Sequence, residues 1–305
     1  NYHNPLNIIK LAVLIRSEKY QIVHCHGYFA STMGRIAAFL AGVPVIISHV
    51  HTTDWNLSKR NMWIEKVLSK ITDRIICCSE AVKQFVVSNE KIDQKKTITI
   101  YNGVNDLQPS GIINTDIESE ENIFRIIVVA SLVHNKGHRY LLEAVSKIVK
   151  KNKKVRLIIV GDGVLKEELT SYAKSIGIGD YTEFTGLVTN VGEIFKKSNI
   201  GVLPSIEREG LGISLIEAMC CGLPVVGTNI GGITEVIQDN INGFIVPPKD
   251  AGVIERKLSV LIDNRIKRIS MGNESRKLFE KKFDARIMLS QVDNLYNSLL
   301  KDDKT

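Results

Sequence analysis

Short apolar runs alternate with stretches of helical periodicity along most of this chain. In the first hundred residues the runs fall at 22–25, 45–50, 75–78 and 97–101, with helical patterns at 6–16, 32–40 and 61–68. Runs of this length, rich in β-branched and aliphatic residues, suit strands covered on both faces, and the helical segments between them supply the crossovers that parallel neighbours require. A second series follows, with strands predicted at 124–130, 155–160, 182–185, 200–203, 225–227 and 243–246 and helices at 138–149, 164–175 and 191–197. Within 138–149, Leu141, Leu142, Val145, Ile148 and Val149 form one apolar stripe, which reads as a face packed on a sheet.

Between the two series, residues 107–122 lack periodicity and contain Pro109, Gly111 and four acidic side chains, the composition of a linker. The expected fold class is therefore α/β, with two Rossmann-like domains whose parallel sheets face a central cleft. Residues 1–106 make the first domain, 107–122 the linker and 123–282 the second domain. The chain enters a helical pattern directly at residue 6, where a doubly wound domain normally opens on a strand. The first domain is accordingly expected to lack its first strand and helix.

Composition narrows the classes. No apolar run approaches the ~20 residues that span a bilayer. Cys25, Cys77, Cys78, Cys220 and Cys221 are odd in number, lie in apolar context and form no CxxC, so reduced thiols in a cytoplasmic protein are expected. No metal is expected, since no Cys or His spacing suggests a ligand set. The net charge of +7 concentrates at 147–156 and 265–268. These runs read first as solvated helix faces; the sharper reading is peripheral contact with anionic lipid at the inner face of the plasma membrane. They carry no interleaved aromatic residues, which argues against nucleic acid.

The most informative segment is 204–237, PSIEREGLGISLIEAMCCGLPVVGTNIGGITEVI. A strand ends at Pro204, a glycine-bearing loop follows, and a helix opens near Ser214. Amides in a first helical turn have no intrahelical partner and the helix dipole is positive there, so Gly210, Leu211, Gly212 and Ile213 present a place for a diphosphate. Glu209 and Glu217 bracket seven residues. Each also has a plainer reading: Glu217 completes a capping box with Ser214, and Glu209 pairs with Arg208 or another surface cation.

This segment resembles the EX7E signature and its continuation in the retaining glycosyltransferases of family 4, whose GT-B fold has two Rossmann-like domains. The resemblance implies that Glu209 lies by the donor sugar and that Glu217 accepts hydrogen bonds from the ribose hydroxyls. VASLVHNKG, residues 129–137, resembles the family segment whose arginine and lysine grip the diphosphate; Lys136 matches the lysine, and Ser131 stands where arginine is often found. Arg139, His134 or backbone amides would then carry the missing charge. Lys136 alone also reads as a solvated loop lysine. IVHCHG and VIISHVH resemble the strands that bring histidines to the family's cleft. His51, followed by Thr52, Thr53 and Asp54, is the expected reactive-centre histidine, whereas His24, His26 and His49 read as satisfied core residues. Ser79 reads as an N-cap and Asn102-Gly103 as a turn. Residues 284–301 resemble the C-terminal helix that returns to the first domain.

The implied activity is transfer of a hexose, with retention, from a nucleotide diphosphate to a glycan or lipid-linked acceptor, as in cell-surface polysaccharide synthesis. UDP-sugar is the favoured donor by resemblance, and the nucleotide-sugar is a substrate, so no cofactor is expected. A nucleotide-sugar 2-epimerase of the same architecture and a binding-only fragment are the alternatives. A dehydrogenase is disfavoured because Gly161-Asp162-Gly163 does not extend to GxGxxG.

Overall fold

The computed structural model describes residues 5–52, 58–107, 123–151 and 154–302. Most of the expected linker, 108–122, together with Thr53, Asp54 and residues 152–153 of the first basic run, lies outside the described residues. In chain order the first elements are α1 (Pro5–Ser17), β1 (Ile22–His26), α2 (Tyr28–Ala41), β2 (Val45–Val50), α3 (Lys59–Leu68), β3 (Arg74–Cys77), α4 (Glu80–Ser88) and β4 (Thr97–Thr99). Then come β5 (Phe124–Val129), α5 (His138–Val149), β6 (Val155–Val160), α6 (Lys166–Ser175), β7 (Thr182–Gly186), α7 (Val191–Phe195), β8 (Ile200–Leu203), α8 (Ile213–Cys220), β9 (Val225–Thr228), α9 (Ile233–Val236) and β10 (Gly243–Val246). Three helices close the chain: α10 (Ala251–Asp263), α11 (Arg265–Leu278) and α12 (Ala285–Asp302).

These elements form two compact units, one of residues 1–103 with 286–305 and one of residues 104–285. The first holds a parallel sheet in the order β1-β2-β3-β4. Its core joins Val45, Ile47, Ile76 and Ile100 to Leu295 and Leu299 of α12, so the last helix buries its apolar stripe in the unit that the first hundred residues begin. Ser79 caps α4, its Oγ accepting from the Val82 amide at 3.1 Å. Under the sheet, Arg35 is fully buried and donates to both carboxylate oxygens of Glu65, at 2.7 and 2.5 Å.

The second unit holds a parallel sheet in the order β10-β9-β8-β5-β6-β7. The stripe expected on α5 packs into its core: Leu141, Leu142, Val145 and Ile148 are buried with Ile126, Leu157 and Ile159, and Val149 is partly buried against them. From β5 the chain winds outward through β6 and β7, then crosses back so that β8 pairs with β5 on its other side. The order therefore reverses between β5 and β8, and in open parallel sheets the crevice beyond the carboxyl ends of such a strand pair is where ligands bind. Near the start of this unit, Arg276 donates to both oxygens of Asp106, at 2.8 and 2.6 Å, and to the carbonyl of Cys220 at 2.7 Å. That anchors residues 104–107 to the end of α8. All five cysteines are free and buried, and among the described residues no helix is long and apolar enough to cross a membrane.

Candidate active site

The two loops that leave β5 and β8 at the reversal are stitched together by backbone. Residues His134–Lys136 form a single 3-10 turn ended by Gly137 at φ +68°. A Cβ at Gly137 would stand 2.0 Å from the carbonyl oxygen of Pro204, and the Ile206 amide donates to the Asn135 carbonyl at 2.8 Å. Only glycine lets the loops approach this closely. The approach places Lys136 against Glu209: Nζ donates to Oε2 at 2.7 Å, and Ser205 Oγ donates to the same oxygen at 2.8 Å. Thr228 Oγ1 in turn holds the Ser205 carbonyl. Glu209 is only 8% exposed, so its charge is matched by the lysine and its lone pairs by the hydroxyl.

This arrangement corrects two of the plainer readings. Lys136 is not a solvated loop lysine, and Glu209 does not pair with Arg208, whose guanidinium lies 3.7 Å from Glu207. It also corrects the capping box. The helix opens at Ile213 with Gly212 as its N-cap at φ 89°, no side chain caps it, and Ser214 sits inside the first turn, where it cannot complete the motif with Glu217. Glu217 instead lines a cavity of about 280 Å³ together with Ser131, Ala130, Gly161 and Asp162, and burial pushes its carboxyl above the ordinary range. Ser131 at this mouth is exposed. Arg139 does not take the place of the missing arginine: its guanidinium lies 4.1 Å over the Tyr172 ring and 3.4 Å from Glu143.

The loop after Glu209 is clamped from behind. The Gly232 amide donates to the Glu209 carbonyl at 3.1 Å, and a Cβ on Gly232 would stand 2.2 Å from the Gly210 carbonyl oxygen. The backbone of Gly232 is ordinary (φ −71°), so Gly232→Ala tests contact rather than strain. We expect it to displace residues 209–211, cost about 1–3 kcal/mol of stability and weaken nucleotide binding, measured by urea unfolding and calorimetry. A variant with both quantities unchanged contradicts this.

In the other unit, His24 and His26 of β1 and His49 and His51 at the end of β2 alternate at i and i+2, so all four lie on one face of the sheet. Their rings stack: centroids are 4.3 Å apart for His24 and His26, 4.1 Å for His49 and His51, and 5.3 Å for His26 and His51. His26 Nδ1 and His51 Nε2 are 3.0 Å apart, Asn102 Nδ2 lies 3.2 Å from His51 Nδ1, and His24 Nδ1 lies 2.6 Å from the Tyr296 hydroxyl on α12. Asn102 is thus more than a turn residue. Burial pushes all four down, helped by the neighbouring imidazoles at His24, His49 and His51, with His24 at about 4 and His49 at about 2, so the cluster is neutral near pH 7.

His49, His51, Tyr28, Ser31 and Glu90 line a cavity of about 100 Å³. Burial beside Glu65 pushes Glu90 up to about 7, a perturbed carboxyl that no sequence signal flagged.

These shifts make a pH prediction. His49 has an ordinary pKa of 6.5, so below pH 6.5 the unfolded chain takes up a proton that the folded chain refuses; stability is full above 6.5 and is lost as pH falls. The slope is about 1.4 kcal/mol per pH unit. Glu90 acts oppositely: it is protonated in the folded state up to about 7, so its term falls as pH rises. The difference between wild type and His49→Gln isolates the first term. In urea unfolding at pH 6.5 and 5.5 the wild type should lose about 1 kcal/mol more than the variant, because the unfolded histidine is already half protonated at 6.5; equal slopes contradict the assignment.

Two parallel-sheet α/β units, with a charged pair at the sheet reversal of the second, have the architecture of the GT-B fold. Residues 1–106 match Glycosyltransferase Family 4 and residues 113–278 match Glycosyl transferases group 1. The chain belongs to glycosyltransferase family 4. It is 30% identical over 282 residues to the UDP-Gal:alpha-D-GlcNAc-diphosphoundecaprenol alpha-1,3-galactosyltransferase of Escherichia coli, covering 88% of this chain and 73% of that one. It is 27% identical over 319 residues to the capsular polysaccharide biosynthesis glycosyltransferase CapM of Staphylococcus aureus, covering 98% and 82%. Among solved structures, HepE of Anabaena in complex with UDP superposes with a TM-score of 0.84 at 20% identity, over 95% of this chain and 82% of that one. A glycosyltransferase of Rickettsia africae gives 0.84 at 24%, over 99% and 83%. The relatives of Escherichia coli, Staphylococcus aureus and Rickettsia africae are named as glycosyltransferases, and the epimerase reading gains no support.

Proposed function

We propose that the chain transfers a hexose, with retention of anomeric configuration, from a UDP-sugar to a glycan or lipid-linked acceptor in the synthesis of a cell-surface polysaccharide or glycolipid. The observation that carries this reading is the Lys136–Glu209 pair at 2.7 Å, held at the β5/β8 reversal beside the amides that open α8. In this reading the diphosphate takes Lys136 as its counter-charge and lies against the amides of Gly210, Leu211, Gly212 and Ile213. Glu209, released from the lysine, accepts hydrogen bonds from the donor sugar, and Glu217 accepts them from the ribose at the mouth it shares with Ser131. The leaving diphosphate oxygen takes the acceptor's proton while positive charge grows at the anomeric carbon, so the protein acts through preorganised donors rather than a nucleophile. His51, neutral and oriented by Asn102, is the reactive-centre histidine that hydrogen-bonds a reacting hydroxyl. No metal or cofactor is assigned a step in this transfer.

The donor assignment is supported by the UDP named for the galactosyltransferase of Escherichia coli and for the HepE complex, and the acceptor class by the lipid-linked and capsular products those relatives' names describe. Peripheral contact with anionic lipid through the basic runs fits such an acceptor. Lys151 of the first run is held by Glu255 at 2.8 Å, and Arg268 of the second donates to the Leu261 carbonyl at 2.8 Å, so these two cations are already engaged. Calorimetry with UDP, GDP and ADP, followed by transfer assays with their sugars, tests the reading. UDP binding most tightly and an α-linked product from an α-linked donor are expected; no binding by any of the three, or an inverted product, overturns it.

A further inference from the structure

The histidine cluster in the first unit holds more ligating capacity than sugar transfer uses. One nitrogen from each of His24, His26 and His49 lies within 4.8 Å of the other two, and His51 reaches the same group through its 3.0 Å approach to His26. His49 is 4% exposed, yet neither of its ring nitrogens has a hydrogen-bond partner, and Nε2 of His24 is likewise buried without one. A buried ring nitrogen without a partner costs free energy and calls for an explanation.

We propose that His24, His26 and His49 form a site for one divalent transition-metal ion of the zinc, nickel or cobalt class. Two features beyond the clustering support this. The donors are all imidazole, the set that suits these ions and not the oxygen-seeking magnesium or calcium. An outer shell is also in place: Tyr296 holds Nδ1 of His24 at 2.6 Å and leaves Nε2 directed elsewhere. Ligating histidines are characteristically oriented in this way through their second nitrogen.

The geometry requires a modest adjustment. Metal–nitrogen bonds are about 2.0–2.1 Å, whereas the centre of a triangle with 4.8 Å sides lies about 2.8 Å from its corners, so each donor must close by less than ~1 Å. The rings lie 10–37° from parallel among the three, so they must also tilt; His26, exposed at the end of β1, has the freedom to do so.

The test uses the whole chain, without a histidine tag, stripped by chelator and titrated with zinc chloride by calorimetry and with cobalt chloride by absorption. One ion per chain and a cobalt spectrum of nitrogen ligation without a thiolate charge-transfer band are expected. Tyr296→Phe, which keeps the ring but removes its hydroxyl, should weaken binding about 10- to 100-fold, and His26→Ala, at an exposed position, at least about tenfold. His49→Ala should abolish it; since that residue is buried, the other two variants keep the question decidable if this one does not fold. Absence of saturable one-to-one binding, a thiolate band, or affinity unchanged in both Tyr296→Phe and His26→Ala overturns the site.

Discussion

Replacing Lys136 by alanine should lower kcat for sugar transfer by about 10²- to 10³-fold, the cost of losing one preorganised donor to a leaving group. The expectation rests on where the lysine is held rather than on its charge alone. Gly137 permits the close approach to Pro204, and the Ile206 amide ties the two loops together, so Nζ is already at 2.7 Å from Glu209 before a nucleotide arrives. A diphosphate then exchanges one counter-charge for another, and little ordering remains to be done. Removal of the lysine has a second consequence, since it leaves Glu209, 8% exposed, with Ser205 as its remaining partner in the pair's place. The double variant Lys136→Ala/Glu209→Gln should therefore lose less than the product of the two single losses. Steady-state transfer assays, with the unfolding midpoint checked alongside, measure both statements. Wild-type turnover in Lys136→Ala would remove the lysine from the proposed donor site.

The largest effect on stability is expected at Glu65. Its carboxylate receives both hydrogen bonds that Arg35 Nη2 donates, and Arg35 is wholly buried. Glu65→Ala strands that cation and should cost about 3–5 kcal/mol, whereas replacing both partners with well-packed apolar residues should cost little or even stabilise. Urea unfolding of Glu65→Ala, Arg35→Met and the double variant Arg35→Met/Glu65→Leu distinguishes an uncompensated charge from a contact with net value. If Glu65→Ala unfolds like the wild type, the pair is not desolvated. The outcome also bears on the site, because Glu65 lines the same cavity as His49, His51 and Glu90, and it contributes to the upward shift of Glu90.

Much of the architecture was legible because secondary structure in a doubly wound domain follows from local pattern. The strands expected at 45–50, 155–160, 200–203 and 243–246 coincide with β2, β6, β8 and β10, and the stripe on α5 is buried where it was expected. Such strands are covered on both faces and read as unbroken apolar runs. Errors gathered at ends: α2 starts at Tyr28 rather than 32, and although α8 opens at Ile213, within a residue of the expected Ser214, its cap is Gly212, since a left-handed glycine can cap a helix as well as a hydroxyl can and leaves no distinctive signal. Ser205, Glu90 and Tyr296 carried no signal either, because each acts on a partner distant in the chain or through burial.

What the sequence alone determined is the set of elements, the two-domain α/β class, the family resemblance in residues 204–237 and the chemistry available in Lys136, Glu209, Glu217 and the histidines. The sequence singles out His51 and leaves His24, His26 and His49 as core residues, without joining them. Only the tertiary structure decided that Lys136 and Glu209, 73 residues apart, form one pair, and that the two histidine couples become one cluster with a tyrosine from the last helix behind it. The physical reason is the same in both places. Adjacent strands in a parallel sheet need crossovers of about a dozen residues or more and need not be consecutive in the chain, as β5 and β8 are not, so the neighbours at their carboxyl ends are set by strand order and register, which local periodicity does not encode.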